Sequence, residues 1–162
     1  MTIYTSYFYQ IRFFQPNMLP ISTAKWDPKW FHDFKGQGHV WVDKNGVTNG
    51  LRAEPFVPGP ACCNLCSGFN NCDDEPKNCN FLKCYETQLM ALPFEAMLRR
   101  LNDLGDRVRK FSGFMGPPIY VFIVHESVNN PCSERRAIQK YFNRNYVVCK
   151  ELDPKDFFPI PQ

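Results

Sequence analysis

The 162-residue chain has little charge of either sign, no long apolar run, no internal repeat and no histidine among its clustered cysteines. Each absence removes a class of protein. Without a run of about 18 apolar residues, no membrane-spanning helix is expected. Met1 is followed by Thr-Ile-Tyr rather than by a basic segment and an apolar core, so a secretory leader is not expected and cytoplasmic residence is the default. The 19 Lys and Arg against 16 Asp and Glu leave a net charge of only +3. That is far from the balance of a domain that holds duplex nucleic acid by counterion release alone, so an anionic partner must be met locally. A composition 44% hydrophobic and 22% charged, with mean hydropathy −0.39, excludes a disordered tail. It suits one domain over residues 1–162.

Aromatic residues are plentiful, with 15 Phe, 7 Tyr and 3 Trp to supply core volume between loops marked by 14 Pro and 9 Gly. The eight cysteines are unevenly placed: Cys62, Cys63, Cys66, Cys72, Cys79 and Cys84 crowd one stretch, while Cys132 and Cys149 stand apart. Clustered thiols in a reducing compartment point to structural Zn2+, which takes four soft ligands in tetrahedral geometry. The Cys63-Asn-Leu-Cys66 turn can deliver two thiolates to one ion, and Cys72 with Cys79 form the preferred second pair, Cys62 and Cys84 being substitutes. Free thiols and disulfides are the competing readings. An all-thiolate site would be closed and would stabilise rather than catalyse.

Residues 3–8 and 18–24 read as strands. Residues 35–60, with five Gly and three Pro, read as a long surface excursion leading into a Cys-rich insertion over about 58–84. Helical spacing of Phe81, Tyr85, Leu89 and Leu92, and then of Phe94, Met97, Leu98, Leu101 and Leu104, predicts two helices separated at Pro93. The unbroken apolar run Ile119–Val124 predicts a central strand covered on both faces. A helix from Pro131 to about Asn143 and a last strand at Tyr146–Cys149 follow. The fold expected is a small α/β domain with a mostly parallel sheet flanked by helices and a Cys-rich inserted lobe.

Parallel sheets place ligands at the carboxyl ends of their strands. The first strand end offers Thr5, Ser6 and Tyr7. The second offers Ser22, Thr23 and Lys25, and the third His125 and Glu126. A helix starting at Pro131 would set Cys132 and Ser133 in its first turn, where free N–H groups favour an anion and acidify a thiol. In an enzymatic reading Glu126 is a general base, Cys132 or the helix amides hold an anion, and Arg135 or Lys25 neutralises a phosphate. In a structural reading Glu126 pairs with Arg135 or Arg136, and Cys132 and His125 simply pack.

Lys25-Trp-Asp-Pro-Lys-Trp-Phe-His-Asp-Phe-Lys35 interleaves lysines with large aromatics, the composition of a base-stacking surface. It is also that of a helix burying Trp26, Trp30 and Phe34, which is the preferred reading, with Lys25 and Lys29 left as ligand contacts. Arg99, Arg100, Arg107, Arg109 and Lys110 read as a solvated helix face.

Ile3-Tyr-Thr-Ser-Tyr-Phe8, Leu19-Pro-Ile-Ser-Thr-Ala-Lys-Trp-Asp-Pro-Lys-Trp30, Cys79-Asn-Phe-Leu82, and His125-Glu126 followed by Pro131-Cys132-Ser-Glu-Arg135 together resemble the domain-of-unknown-function 488 family over most of the chain. The resemblance implies a Rossmann-like fold in a bacterial or phage cytoplasmic protein, and no established reaction. Family members commonly carry Cys-Tyr-Glu-Lys and Cys-His-Arg motifs, of which only Glu126 and Cys132 are matched here; Arg135 is the candidate to stand in for the missing His-Arg pair.

The reading that follows is a protein that binds a nucleotide or nucleic-acid-derived anion at its strand ends, whether or not it also processes it, with Lys25, Glu126, Cys132 and Arg135 at the site. A non-catalytic, zinc-stabilised interaction module that sequesters a ligand or partner is the alternative. A thiol redox protein is a third class.

Overall fold

The apolar run Ile119–Val124 forms β5, the strand on which the sheet is built. In the computed structural model, which describes residues 1–33, 48–66, 75–126, 132–153 and 155, β5 lies between β1 (Thr2–Tyr7) and β2 (Met18–Ser22). Thr2 and Met18 both stand level with Ile119. Val121 to Val124 have no accessible surface, as expected of a strand covered on both faces. β3 (Phe31–Asp33), β4 (Thr48–Arg52) and β6 (Cys149–Glu151) complete a six-stranded sheet in the order β3-β4-β2-β5-β1-β6, and every pair is parallel. This is an α/β fold of Rossmann-like kind.

Among the described residues, four α-helices join the strands: α1 (Pro60–Cys63), α2 (Asn80–Met90), α3 (Phe94–Ser112) and α4 (Arg135–Arg144). Pro93 separates α2 from α3, and Gly113 closes α3 in the left-handed region at φ 66°, a conformation glycine adopts without a Cβ penalty. α2 buries Leu82, Tyr85 and Leu89, and α4 buries Ala137, Ile138, Tyr141 and Phe142. The densest packing is aromatic: the Phe122 ring of β5 lies 4.8 Å from Phe56 and 5.3 Å from Phe142. Truncating a ring at such a centre costs about 3–5 kcal/mol. Among the described residues, no helix is long and apolar enough to cross a membrane.

Several sequence expectations change. Trp26, Trp30 and Phe34 do not form a buried helical stripe: Trp26 is 75% and Trp30 39% exposed, and Phe34 lies outside the described residues. Pro28 interrupts the helical pattern, and the chain extends into β3 instead. The ring that enters the core is Phe31, packed edge-on against Phe8 at 5.3 Å. The expected surface excursion contains β4, whose polar sequence conceals a strand. Gly50 makes that pairing feasible, because a Cβ there would sit 2.2 Å from the Phe31 ring.

The last strand starts at Cys149, the turn before it being taken by Tyr146 at φ 63°. Asn143 fixes that start by bonding both the N–H and the carbonyl of Cys149 at 2.9 Å. The last helix starts at Arg135 rather than Pro131, so Cys132 and Ser133 precede it and are not in its first turn.

The connection leaving β2 runs toward the β3 edge, whereas the one leaving β5 runs toward β6 at the opposite edge. Adjacent strands whose connections diverge open a crevice at their carboxyl ends.

Candidate functional site

The segment after β2 is fastened over that crevice by its own polar residues. Thr23 extends the pairing beyond the strand, donating both its N–H and its hydroxyl to the Ile123 carbonyl at 3.0 Å. Ser22 donates to Asp27, whose carboxylate also meets Arg52 Nη1 at 3.1 Å, and Arg52 Nη2 reaches the Lys25 carbonyl at 3.3 Å. From the neighbouring strand end, His125 Nε2 bonds the Trp26 carbonyl, and its ring lies 5.0 Å from Phe8. These contacts hold the backbone of Lys25 and Trp26 while leaving both side chains in solvent, with Lys25 Nζ 5.9 Å from the indole centroid.

Beneath them is a cavity of about 310 Å³. Lys25, Trp26, His125 and Glu126 line it from the ends of β2 and β5, with Pro58, Cys63 and Cys66 on one wall and Phe81 and Glu134 completing it. Its surface is mostly apolar. Among the described residues, larger clefts flank α3 and the α2–α4 pair, whereas this cavity is lined from the ends of both β2 and β5, where the connections diverge.

Two carboxyl groups share the cavity in different surroundings. Glu126 is half-buried; its Oε2 accepts a hydrogen bond from Ser133 Oγ at 3.1 Å, and its carbonyl accepts one from Arg135 Nη2. Glu134 is 6% exposed, and its buried Oε2 has no hydrogen-bond partner among the described residues. Burial drives the Glu134 pKa well above the usual carboxyl range, and the Glu126 charge adds to this, while Arg135 opposes it. The cavity therefore presents one carboxyl that favours its proton beside one that accepts hydrogen bonds.

Arg135 joins this cavity to a second polar cluster. Its Nε lies 3.5 Å from Glu151 Oε2, and its guanidinium carbon 5.8 Å from the Tyr7 ring centroid. Thr5 donates to Glu151 at 2.7 Å and accepts from Gln139 at 2.7 Å. Burial raises the Glu151 pKa, against the opposing influence of the Thr5 hydroxyl and the Arg135 charge.

Of the residues proposed from sequence, Lys25, His125 and Glu126 line one cavity, and Ser133 and Arg135 hold Glu126. Thr5 and Tyr7 lie in the adjoining cluster, whereas Ser6 is fully buried, its hydroxyl without a hydrogen-bond partner among the described residues. Cys132 is buried and does not line the cavity. Sequence reasoning missed Glu134, which reads as a surface residue in a charged run, and assigned Trp26 to the core. A strand-end search extended to the residue preceding the helix would have found Glu134.

The cysteine cluster is partly covalent. Cys62 and Cys84 form a disulfide with Cα atoms 5.3 Å apart, linking α1 to α2. Of the preferred zinc set, Cys63 and Cys66 are half-buried in the cavity wall, Cys79 is buried, and Cys72 lies outside the described residues. Among the described residues, no three His, Cys, Asp or Glu side chains converge as a metal-binding group.

Comparison with family models, curated proteins and solved structures finds no match to this chain.

Proposed function

We propose that the chain binds a nucleotide or nucleic-acid-derived anion in the cavity at the carboxyl ends of β2 and β5. The observation that carries this reading is the convergence, at the divergence of the sheet's connections, of an exposed Trp26 and Lys25 with the paired carboxyls of Glu126 and Glu134. Apolar and aromatic walls take a base, carboxyls read its polar edge, and a lysine at the rim meets a phosphate. Arg135 and Ser133 position Glu126, which is the group available for acid–base chemistry on a bound ligand. Because Cys132 lies away from the cavity lining, the proposal rests on binding and not on a covalent thiol intermediate.

Native mass spectrometry of freshly purified protein, repeated after acid denaturation, tests the reading alongside calorimetric titration with mononucleotides. A nucleotide-sized adduct lost on denaturation, or saturable binding weakened at least fivefold by Lys25→Ala, supports it. Absence of both sinks it. Incubation of the bound ligand followed by chromatography separates processing from sequestration: products formed by the wild type and not by Glu126→Gln establish the former.

Membership of the domain-of-unknown-function 488 family remains a proposal, supported by the seating of its matched motifs on β1, β2 and the end of β5. Structural zinc is a proposal too, and the same spectra decide it through one retained zinc per chain or none.

A further inference from the structure

We propose that the cavity selects guanine among the common nucleobases, with Glu126 and Glu134 reading its hydrogen-bonding edge; this rests on the nucleotide reading above. Among the described residues lining the cavity, Lys25 is the one lysine or arginine, and it stands beside the exposed Trp26. The side chains of Glu126 and Glu134 are both acidic, and they suit the part of a ligand richest in N–H donors rather than its phosphate. A nucleotide is thereby oriented base inward, phosphate toward Lys25.

An ionised carboxylate accepts two parallel hydrogen bonds from adjacent N–H groups. Guanine offers that pair at N1 and N2. Adenine places a lone pair at N1, cytosine offers one amino group beside a lone pair, and uracil has a single N–H between two carbonyls. Ser133 engages Oε2 of Glu126 and fixes the carboxylate for such recognition. Glu134, nine-tenths buried with an oxygen unpartnered among the described residues, is the complementary group for the remaining position, the O6 carbonyl. Its raised pKa supports the donor role, because a protonated carboxyl can donate where a carboxylate cannot. The exposed Trp26 face and Phe81 supply surfaces for the base plane, as stacking without sequence preference requires. Stacking explains affinity, and the two carboxyls explain choice.

Titration of the full chain with GMP, AMP, CMP, UMP and IMP tests the inference. GMP is expected to bind about tenfold more tightly than AMP, the discrimination of one bidentate pair. IMP, which lacks the 2-amino group, is expected to fall several-fold below GMP on the wild-type protein, so this comparison needs no variant to fold. Glu126→Gln should abolish the preference for GMP over AMP, with melting curves verifying the fold. If all five ligands bind equally and Lys25→Ala weakens them alike, the base assignment is overturned and nucleotide binding stands. If none binds, both readings fall.

Discussion

Ser133 donates its hydroxyl hydrogen to Glu126 Oε2 over 3.1 Å, while the backbone N–H of Arg135 donates to the same serine oxygen at 3.4 Å. A single hydroxyl thus ties the end of β5 to the start of α4 and sets the direction of a cavity-lining carboxylate.

Ser133→Ala should free that carboxylate. Removing one hydrogen bond to a charged group costs about 1.5–3 kcal/mol where the group stays buried, and about 1 kcal/mol is expected here because Glu126 reaches solvent. Ligand affinity should drop several-fold by calorimetry, with a small fall in the urea midpoint. An unchanged affinity would show that Ser133 does not position Glu126.

Glu134 should make the protein less stable as the medium becomes alkaline. Its folded pKa is raised by burial, so the folded state holds the proton more tightly than the unfolded chain does. The associated stability is fully present below the unfolded pKa and is lost as pH rises through the folded value. Glu151, also raised by burial, contributes in the same sense. Urea midpoints of the wild type and Glu134→Gln between pH 5 and 8 should diverge, the variant gaining on the wild type as pH rises. Parallel curves would remove Glu134 as the source.

Arg135→Met should destabilise by about 2–3 kcal/mol, because Glu151 would be left partly buried without its cation. Adding Glu151→Gln should recover part of that loss. A double-mutant cycle on denaturation midpoints measures the coupling, and strict additivity would show that the ion pair contributes nothing.

The Cys62–Cys84 disulfide closes a loop with a sequence separation of 22. A loop of that size is worth about 3 kcal/mol when it is cross-linked. Reduction, or replacement of both cysteines by Ser, should lower the urea midpoint accordingly. The fold should survive, since Tyr85 donates to the Phe56 carbonyl and Gln88 bonds the Val57 carbonyl and the Gly59 N–H, fixing the same segment to α2. Loss of cooperative unfolding on reduction would show that these bonds are insufficient alone.

β1, β2 and β5 were legible because each is an apolar or β-branched run, and α2 and α3 because their apolar residues recur at helical spacing. β3 and β4 were not: Phe31–Asp33 and Thr48–Arg52 are short and largely polar, and their pairing depends on a phenylalanine ring fitting over Gly50 rather than on any local pattern. The spacing of Trp26 and Trp30 satisfies a helical template, yet Pro28 sits between them and their rings stay at the surface.

At the site, strand-end reasoning located Lys25, His125 and Glu126, since those positions follow directly from where the strands stop. Glu134 escaped it because its burial is set by tertiary packing. Burial raises the pKa of Tyr85, and Glu134 and Glu126 add to it, which places a helix remote in sequence close to the two carboxyls. Thr5 was chosen as a ligand contact, but its hydroxyl is occupied by Glu151 and Gln139, residues more than 130 positions away.

The slot between β1 and β2 is filled by a strand that lies about a hundred residues further along the chain. During synthesis the first two strands therefore emerge without the neighbour they share, and nothing joins them within the sheet until Ile119–Val124 has left the ribosome. Closure of the central sheet is a late, long-range event, and such events set slow folding rates. A nascent chain arrested before β5 would expose the inward-facing residues of both strands. The interval between the emergence of Ser22 and that of Val124 is thus the period in which this polypeptide is most open to misassociation.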